Sequence, residues 1–222
     1  MTVFVLKWIA IVTMLIDHVG YIFMSGFSSY LIFRSIGRLA FPIFAFFIAE
    51  GCYMTKNVHK YLLRLFAFAL ISELPFDFAF HGTWVYIGYQ NIFFTLLLGV
   101  LSIYLYNRLL DKGEINKYFA LVPPVIMAAV AEFLHTDYGG IGVLIIFFLY
   151  YFRESFSMRA LVLLSGNIIL AILSGPIQLL GALTIIPLYF YNGRKGMDIK
   201  YFFYAFYPAH LLILAIIYSW KI

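Results

Sequence analysis

Charged residues are scarce in this sequence. They make up 11% of its 222 residues, whereas 64% are hydrophobic. A typical soluble domain is about 25% charged and about 45–50% apolar. A soluble fold of this size cannot bury that much apolar surface, because chain length limits the fraction of surface that folding hides. The composition therefore excludes an ordinary soluble domain and predicts a protein that lies in the lipid bilayer.

Cysteine is also nearly absent, since Cys52 is the single one. This excludes an intramolecular disulfide and a multi-cysteine metal site, and no metal is expected. The formal net charge is +5, but the basic residues are spread over short segments and form no continuous stripe. A nucleic acid is therefore not an expected partner.

Long apolar runs fill the chain instead. A transmembrane helix needs about 20 mainly apolar residues, so about nine such helices with short loops fit into this length. The sequence predicts an all-α integral membrane protein, a bundle of about nine transmembrane helices (eight to ten) in a single domain over residues 1–222. The predicted spans are 4–24, 32–54, 60–80, 91–107, 118–134, 140–152, 159–174, 177–192 and 201–219.

The distribution of lysine and arginine predicts the orientation. Short loops on the cytoplasmic side of a membrane protein are enriched in lysine and arginine. The connections 25–31, 81–90, 135–139 and 174–176 contain neither residue type. The alternate connections hold most of them, which predicts a cytoplasmic N-terminus: Lys7, Lys56, Lys60, Arg64, Arg108, Lys112, Lys117, Arg153, Arg159, Arg194, Lys195 and Lys200.

Two pairs of charged residues, of opposite sign, lie in the outer parts of neighbouring predicted spans. Arg34 and Arg38 fall in the outer part of the second span, and Glu73 and Asp77 in the outer half of the third. Each pair is spaced i, i+4 and so shares one helical face. A charge at the centre of the bilayer costs about 2.5–3.5 kcal/mol. We therefore expect the arginines to pair with the carboxylates, either as a structural network or as a site for a phosphate or carboxylate.

Further polar side chains fall at the same predicted depth. His18 is the main candidate for chemistry, because a histidine near neutral pKa can act as a general base on an amine or hydroxyl. The alternative is a histidine that hydrogen-bonds between helices. Asp17 is adjacent and points about 100° away around the helix, so we do not expect it to orient His18. Gln90, Asn91 and Asp137 belong to the same set, whereas His210 lies in the middle of the last span and is a candidate for the donor path.

Short motifs along nearly the whole chain, in conserved order, resemble the TraX family. They contain most of the polar residues above: Leu15-Ile16-Asp17-His18-Val19-Gly20, Ile36-Gly37-Arg38-Leu39-Ala40-Phe41-Pro42, Ser72-Glu73-Leu74-Pro75-Phe76-Asp77, Gln90-Asn91-Ile92-Phe93, Asp137-Tyr138-Gly139-Gly140 and Tyr207-Pro208-Ala209-His210.

The resemblance implies acyl transfer. The TraX family is associated with N-terminal acetylation of pilin, and it looks like a compact relative of the membrane acyltransferases that move acetyl from acetyl-CoA to extracytoplasmic acceptors. In that group a histidine on the first helix is regarded as catalytic, and arginines on early helices hold the donor. The matching residues are His18, Arg34 and Arg38. The resemblance also implies a multi-pass protein of the bacterial cytoplasmic membrane.

These observations combine into one hypothesis about the site. We predict that acetyl-CoA is the co-substrate and that a peptide or glycan is the acceptor; the oligomeric state is left open. A proton-coupled or small-solute transporter and a non-catalytic assembly factor are the alternatives. The predicted residues are, for catalysis, His18, Arg38, Asp17, Glu73 and Asp77; for the donor, Arg34, Arg38 and His210; and for the acceptor, Gln90, Asn91 and Asp137.

Overall fold

The regular secondary structure is entirely helical wherever the chain is described. The structure is a computed structural model that describes residues 1–111, 116, 118–194, 196–197 and 200–220. Within them the α-helices are α1 Val3–Phe23, α2 Tyr30–Gly37, α3 Ala40–Met54, α4 Val58–His81, α5 Ile92–Asp111, α6 Val122–Phe133, α7 Gly139–Tyr151, α8 Phe156–Ser174, α9 Ile185–Tyr189 and α10 Lys200–Ser219. The all-α prediction is confirmed for these residues.

In the described part of the chain, five helical segments are long and apolar enough to cross a membrane: Val3–Phe23, Tyr30–Met54, Ile92–Asp111, Phe156–Ser174 and Phe202–Ser219. Shorter apolar segments are Phe119–Phe133, Gly139–Tyr151 and Pro176–Tyr189. The protein is therefore a helical membrane protein, while the number of nine spans stays a prediction. Three of the loop lysines on which the predicted orientation depends, Lys112, Lys117 and Lys195, lie outside the described residues.

The second predicted span, 32–54, is interrupted. Helix α2 ends at Gly37 and α3 begins at Ala40, with a tight turn at Arg38 and Leu39 between them. The turn has a physical cause in Pro42, which has no N–H to donate to the carbonyl of Arg38 four residues earlier. The predicted span 32–54 thus consists of two consecutive helices, and the segment Tyr30–Met54 as a whole is long and apolar enough to cross a membrane.

The eighth predicted span, 177–192, also differs from a regular α-helix. A 3₁₀ helix covers Pro176–Thr184, and only the five residues of α9 follow it as α-helix. Gly175 precedes it with a φ of 107°, a conformation that favours glycine. Runs of 3₁₀ helix longer than three or four residues are uncommon, so this segment is an unusual local structure.

The chain divides into two compact units. The first consists of residues 1–44, 71–86 and 163–222, and the second of residues 45–70 and 87–162. In the first unit, α1 packs against α2 and α10, and α2 packs against the long 3₁₀ helix. In the second unit, α5, α6 and α7 pack on one another. The prediction of a single transmembrane domain stays a prediction.

Candidate functional site

Asp17 lies on the buried face of α1. The face is built by residues three or four positions apart, which fall on one side of a helix: Leu6, Ala10, Thr13, Asp17 and Gly20. Asp17 is 7% exposed. Helix α2 comes close because Gly37 has no side chain: a Cβ atom built there would lie 2.1 Å from Asp17 Oδ1. The small residues of both helices therefore bring the carboxylate against the backbone of α2.

One carboxylate bridges two arginines. Asp17 Oδ2 accepts a hydrogen bond of 2.7 Å from Arg34 Nη1, and Asp17 Oδ1 accepts one of 2.6 Å from Arg38 Nη2. Arg34 and Arg38 are one helical turn apart, so their like charges repel. The shared carboxylate between them offsets this repulsion. Its two charge-assisted hydrogen bonds replace the hydrogen bonds to water that the charged groups lose on burial.

Arg38 is fixed by further bonds. Its Nε donates to the carbonyl oxygen of Arg34 at 3.2 Å, and its Nη1 donates to Gln178 Oε1 at 3.3 Å. Gln178 lies on the long 3₁₀ helix and was not identified from the sequence. A signal was present: Gln178 is the only charged or amide residue between Asn167 and Asn192.

Arg34 is less enclosed than Arg38. Its side chain is 20% exposed, against 7% for Arg38. Its guanidinium carbon lies 5.2 Å from the ring centroid of Tyr21, a cation–π distance. Both arginines thus find their carboxylate on α1, and this corrects the expectation that Glu73 and Asp77 would be the partners of the pair. Glu73 is half-buried on α4.

Asp77 instead holds the loop that follows α4. It is 1% exposed, and its Oδ2 accepts a hydrogen bond of 2.7 Å from the backbone N–H of Tyr86. The ring of His81 stacks on the ring of Tyr86, with the centroids 4.0 Å apart. These contacts fold residues 82–86 back onto the end of α4.

His18 and His210 are in direct contact. His18 Nδ1 and His210 Nε2 are 2.7 Å apart, and His210 Nδ1 lies 2.7 Å from the carbonyl oxygen of Phe206. The residues are 192 positions apart in the sequence and meet because α10 packs against α1. His210 is buried, with 5% of its surface exposed, whereas His18 is half-buried. The structure thus brings together two residues for which separate roles had been predicted.

Aromatic rings surround the two histidines. Phe80 and Tyr207 present T-shaped contacts to His18, at centroid distances of 5.3 and 6.2 Å. Phe206 stacks on His210 at 4.8 Å. The imidazoles therefore have an apolar surrounding, in which a hydrogen bond is electrostatically stronger than in water.

The second unit holds a separate polar cluster. The backbone N–H of Asp137 donates to the carbonyl oxygen of Gln90 at 2.9 Å, and the hydroxyl of Tyr89 donates to Asp137 Oδ1 at 3.1 Å. Gln90 and Asp137, which were predicted to bind the acceptor, are thus neighbours. The turn that carries Asp137 contains two non-glycine residues in the left-handed region, His135 and Tyr138, with φ of 51° and 63°. Such backbone strain occurs often at functional sites.

Asn91 has a structural environment. It is 0% exposed, its Nδ2 donates to the carbonyl oxygen of Ala69 at 2.8 Å, and its Oδ1 accepts the backbone N–H of Phe93 at 3.0 Å. The amide thus accepts a backbone N–H in the first turn of α5 and forms a hydrogen bond to the backbone of α4. These contacts give Asn91 a structural role, and its predicted role in acceptor binding stays a prediction.

The comparisons with known proteins agree with the resemblance seen in the sequence. Residues 3–218 match the family described as TraX protein. The chain is 31% identical over 235 aligned positions to the probable fimbrial assembly protein FimC, serogroup H1, of Dichelobacter nodosus; the match covers 95% of this chain and 93% of that protein. No solved structure gives a significant match. Because the family match spans nearly the whole chain, this protein belongs to the TraX family.

Proposed function

We propose that this protein is a membrane-bound acyltransferase that moves an acetyl group from acetyl-CoA to an amine or hydroxyl. One arrangement supports the proposal above the rest. His18, a half-buried histidine, follows directly after Asp17, whose carboxylate binds the guanidinium groups of Arg34 and Arg38. A potential general base and the carboxylate that binds two cations are thus neighbouring residues of α1, and acyl transfer can use a base together with cations.

His18 takes the proton in this proposal. Its Nδ1 faces His210, and its Nε2 has no hydrogen-bond partner among the residues that the structure describes. Nε2 is therefore the nitrogen that can accept a proton from the acceptor group. General-base catalysis of this kind contributes about 10²–10⁴-fold to a rate.

Arg34 is the better candidate for contact with the acetyl carbonyl. Of its nitrogens, only Nη1 takes part in a described hydrogen bond, so N–H groups are left for a ligand. Arg38 already donates through Nε, Nη1 and Nη2. We assign Arg38 and Asp17 to hold Arg34, which then stabilises the oxyanion as negative charge develops. A direct role of Glu73 or Asp77 in orienting these groups stays a prediction.

The reaction is balanced without a covalent enzyme intermediate. The lone pair of the acceptor nitrogen or oxygen attacks the thioester carbonyl, and His18 Nε2 removes the acceptor's proton. The C–S bond then breaks, and the departing CoA thiolate takes the proton from His18. Arg34 binds the carbonyl oxygen while it carries negative charge.

The proposed topology has nine spans, a cytoplasmic N-terminus and a location in the bacterial cytoplasmic membrane. Acetyl-CoA would enter from the cytoplasm. At 1.5 Å per residue, His18 lies about 21 Å along α1 from Phe4, a depth that the long pantetheine arm can reach. The acceptor would approach from the opposite side.

The acceptor class follows from the relative. The protein from Dichelobacter nodosus is described as a fimbrial assembly protein. We therefore propose a pilin-like peptide N-terminus as the acceptor, with other envelope molecules as alternatives. We propose that Gln90 and Asp137 bind the acceptor, and their direct contact supports a shared role.

The test is acetyl transfer by purified protein in detergent, with isotope-labelled acetyl-CoA and a pilin-like peptide. His18→Gln should reduce transfer by at least about 10²-fold with an unchanged melting temperature. His59→Gln is the matched control, because His59 is exposed and its ring contacts that of Tyr104. If a folded His18→Gln protein transfers acetyl groups at the full rate, His18 is not the general base.

Transport is a second candidate that one observation favours. The interruption at Arg38 and Leu39 resembles the discontinuous helices that line transporter sites. Proteoliposomes with a pH-sensitive dye inside separate the candidates. A transporter should show proton flux that His18→Gln abolishes and should not bind acetyl-CoA in calorimetry, whereas an acyltransferase should bind acetyl-CoA and give no flux.

A non-catalytic assembly factor is the third candidate, for which the name of the relative gives support. Such a protein would tolerate His18→Gln in a cellular pilus-assembly assay. An acyltransferase would lose the acetyl group on the pilin in the same cells, which mass spectrometry of the pilin detects directly.

A further inference from the structure

We infer that His210 is a positioning residue that fixes which nitrogen of His18 carries the proton. His210 is not a donor ligand in this interpretation. Its importance for catalysis rests on the proposed function, but the hydrogen-bond relationship itself does not. Two hydrogen bonds connect the ring of His18, the ring of His210 and the carbonyl oxygen of Phe206. Both are donated in the same direction, from His18 towards Phe206.

The direction follows from the Phe206 carbonyl. A carbonyl oxygen only accepts, so His210 Nδ1, 2.7 Å away, must carry a hydrogen. In neutral His210, Nε2 is then a lone-pair acceptor. Nε2 lies 2.7 Å from His18 Nδ1, so His18 Nδ1 must be the donor. This leaves the lone pair of His18 on Nε2, the nitrogen without a partner among the described residues.

The ring geometry agrees with an N–H···N hydrogen bond. The planes of His18 and His210 differ by 5°, and their centroids are 5.0 Å apart. An N···N distance of 2.7 Å is too short for rings that lie face to face, so the two imidazoles meet edge to edge in nearly one plane. Both the N–H bond and the nitrogen lone pair lie in the ring plane, which gives the bond its best alignment.

Burial separates the roles of the two residues. His210 is 5% exposed, and both of its ring nitrogens are occupied by Phe206 and His18. Neither ring nitrogen is therefore left for a substrate. Phe206 stacks on its ring and Tyr207 meets it at a centroid distance of 5.7 Å, so the ring is held in place from two sides.

The same hydrogen bonds stabilise the protonated form of His18. When Nε2 takes a proton, His18 becomes a cation whose Nδ1–H still points at His210 Nε2. A hydrogen bond with a charged donor is roughly twice as strong as a neutral one. His210 thereby stabilises the protonated base without leaving its position, much as the third member of a catalytic triad does.

The tautomer of His18 can be measured directly by ¹⁵N NMR of histidine-labelled protein in detergent or nanodiscs. The chain has five histidines, so single substitutions assign each signal. In the unmodified protein at a pH where imidazoles are neutral, we expect His18 to carry its proton on Nδ1. His210→Phe keeps a planar ring and removes the acceptor, so His18 should change to the Nε2–H form. His210→Gln places an amide oxygen near the former Nε2 and should retain the Nδ1–H form.

Transfer assays add a second readout. His210→Phe should lower kcat by about 10²-fold with little change of KM for acetyl-CoA, and His210→Gln should recover part of it. The inference is overturned if His18 carries its proton on Nε2 in the unmodified protein, or if a folded His210→Phe variant leaves the tautomer unchanged. Should the tautomer behave as expected in a protein that transfers no acetyl group, the proposed function fails while the pairing of the histidines stands.

Discussion

The carboxylate of Asp17 on α1 lies 2.6 Å from Nη2 of Arg38, the residue at which the second apolar segment is interrupted. Both residues are buried, with 7% of their surface exposed. The pair therefore forms a buried charge-assisted hydrogen bond between α1, the helix that carries His18, and the turn at Arg38 and Leu39 that separates α2 from α3.

The first prediction concerns this buried bond. Asp17→Asn removes the negative charge shared by the buried Arg38 and the half-buried Arg34, which should lower the free energy of unfolding by about 3–5 kcal/mol. Thermal unfolding in detergent, followed by circular dichroism, measures the loss. Glu154→Gln is the matched control: Glu154 pairs with Arg153 at 2.7 Å, but its side chain is 85% exposed, so its loss should cost at most about 1 kcal/mol. Equal effects of the two substitutions would contradict the buried bridge.

The second prediction separates the two arginines. Arg38→Lys removes bonds to Gln178 and Arg34 that a lysine cannot all replace, so it should lower the melting temperature. In Arg34→Lys the ammonium group can still pair with Asp17, so this variant should lose less stability. It should nevertheless reduce kcat by about 10²-fold, because the planar set of N–H donors is lost. A larger loss of kcat in Arg38→Lys, at equal folding, would reverse the roles assigned to the arginines.

The third prediction tests the close approach of α1 and α2. Gly37→Ala brings a methyl group into the space of Asp17, whereas Gly20→Ala meets the Cβ atom of Phe33 at 2.4 Å in the same helix contact. Both variants should be less stable. Only Gly37→Ala should also weaken acetyl-CoA binding in calorimetry, because it displaces the carboxylate that holds the arginines. Matching affinities in the two variants would show that the position of Asp17 does not control the donor site.

The fourth prediction concerns Asn91. Asn91→Ala leaves the carbonyl of Ala69 and the N–H of Phe93 without their side-chain partner inside the protein, which should cost about 1–3 kcal/mol of stability. Asn57→Ala removes an exposed cap on Lys60 N–H and should cost about 1 kcal/mol. If Asn91→Ala instead leaves stability intact and raises KM for the acceptor, Asn91 binds the substrate as the sequence predicted.

The helical segments could be predicted well from the sequence. A long apolar run in lipid has to satisfy its backbone groups within itself, and a helix does so. Each predicted span accordingly has a helical counterpart in the described residues. The interruption before Pro42 could have been predicted too, since the missing N–H is a property of one residue.

The candidate site was predictable only as a set of residues. His18, Arg34 and Arg38 were identified from their cost inside a membrane and from the family resemblance. Their partners were not, because spacing along one helix shows which residues share a face but not which helix that face meets. The arginines were therefore matched with Glu73 and Asp77, whereas the small residues of α1 and α2 bring Asp17 to them.

The sequence by itself determined the helical, membrane-embedded class of this protein, since composition and the length of apolar runs are local properties that the bilayer selects directly. Only the tertiary structure decided that one carboxylate serves two arginines and that His18 is joined to His210. These contacts connect helices that are distant in the sequence, and they depend on packing at a precision of tenths of an ångström, which no pattern along the chain encodes.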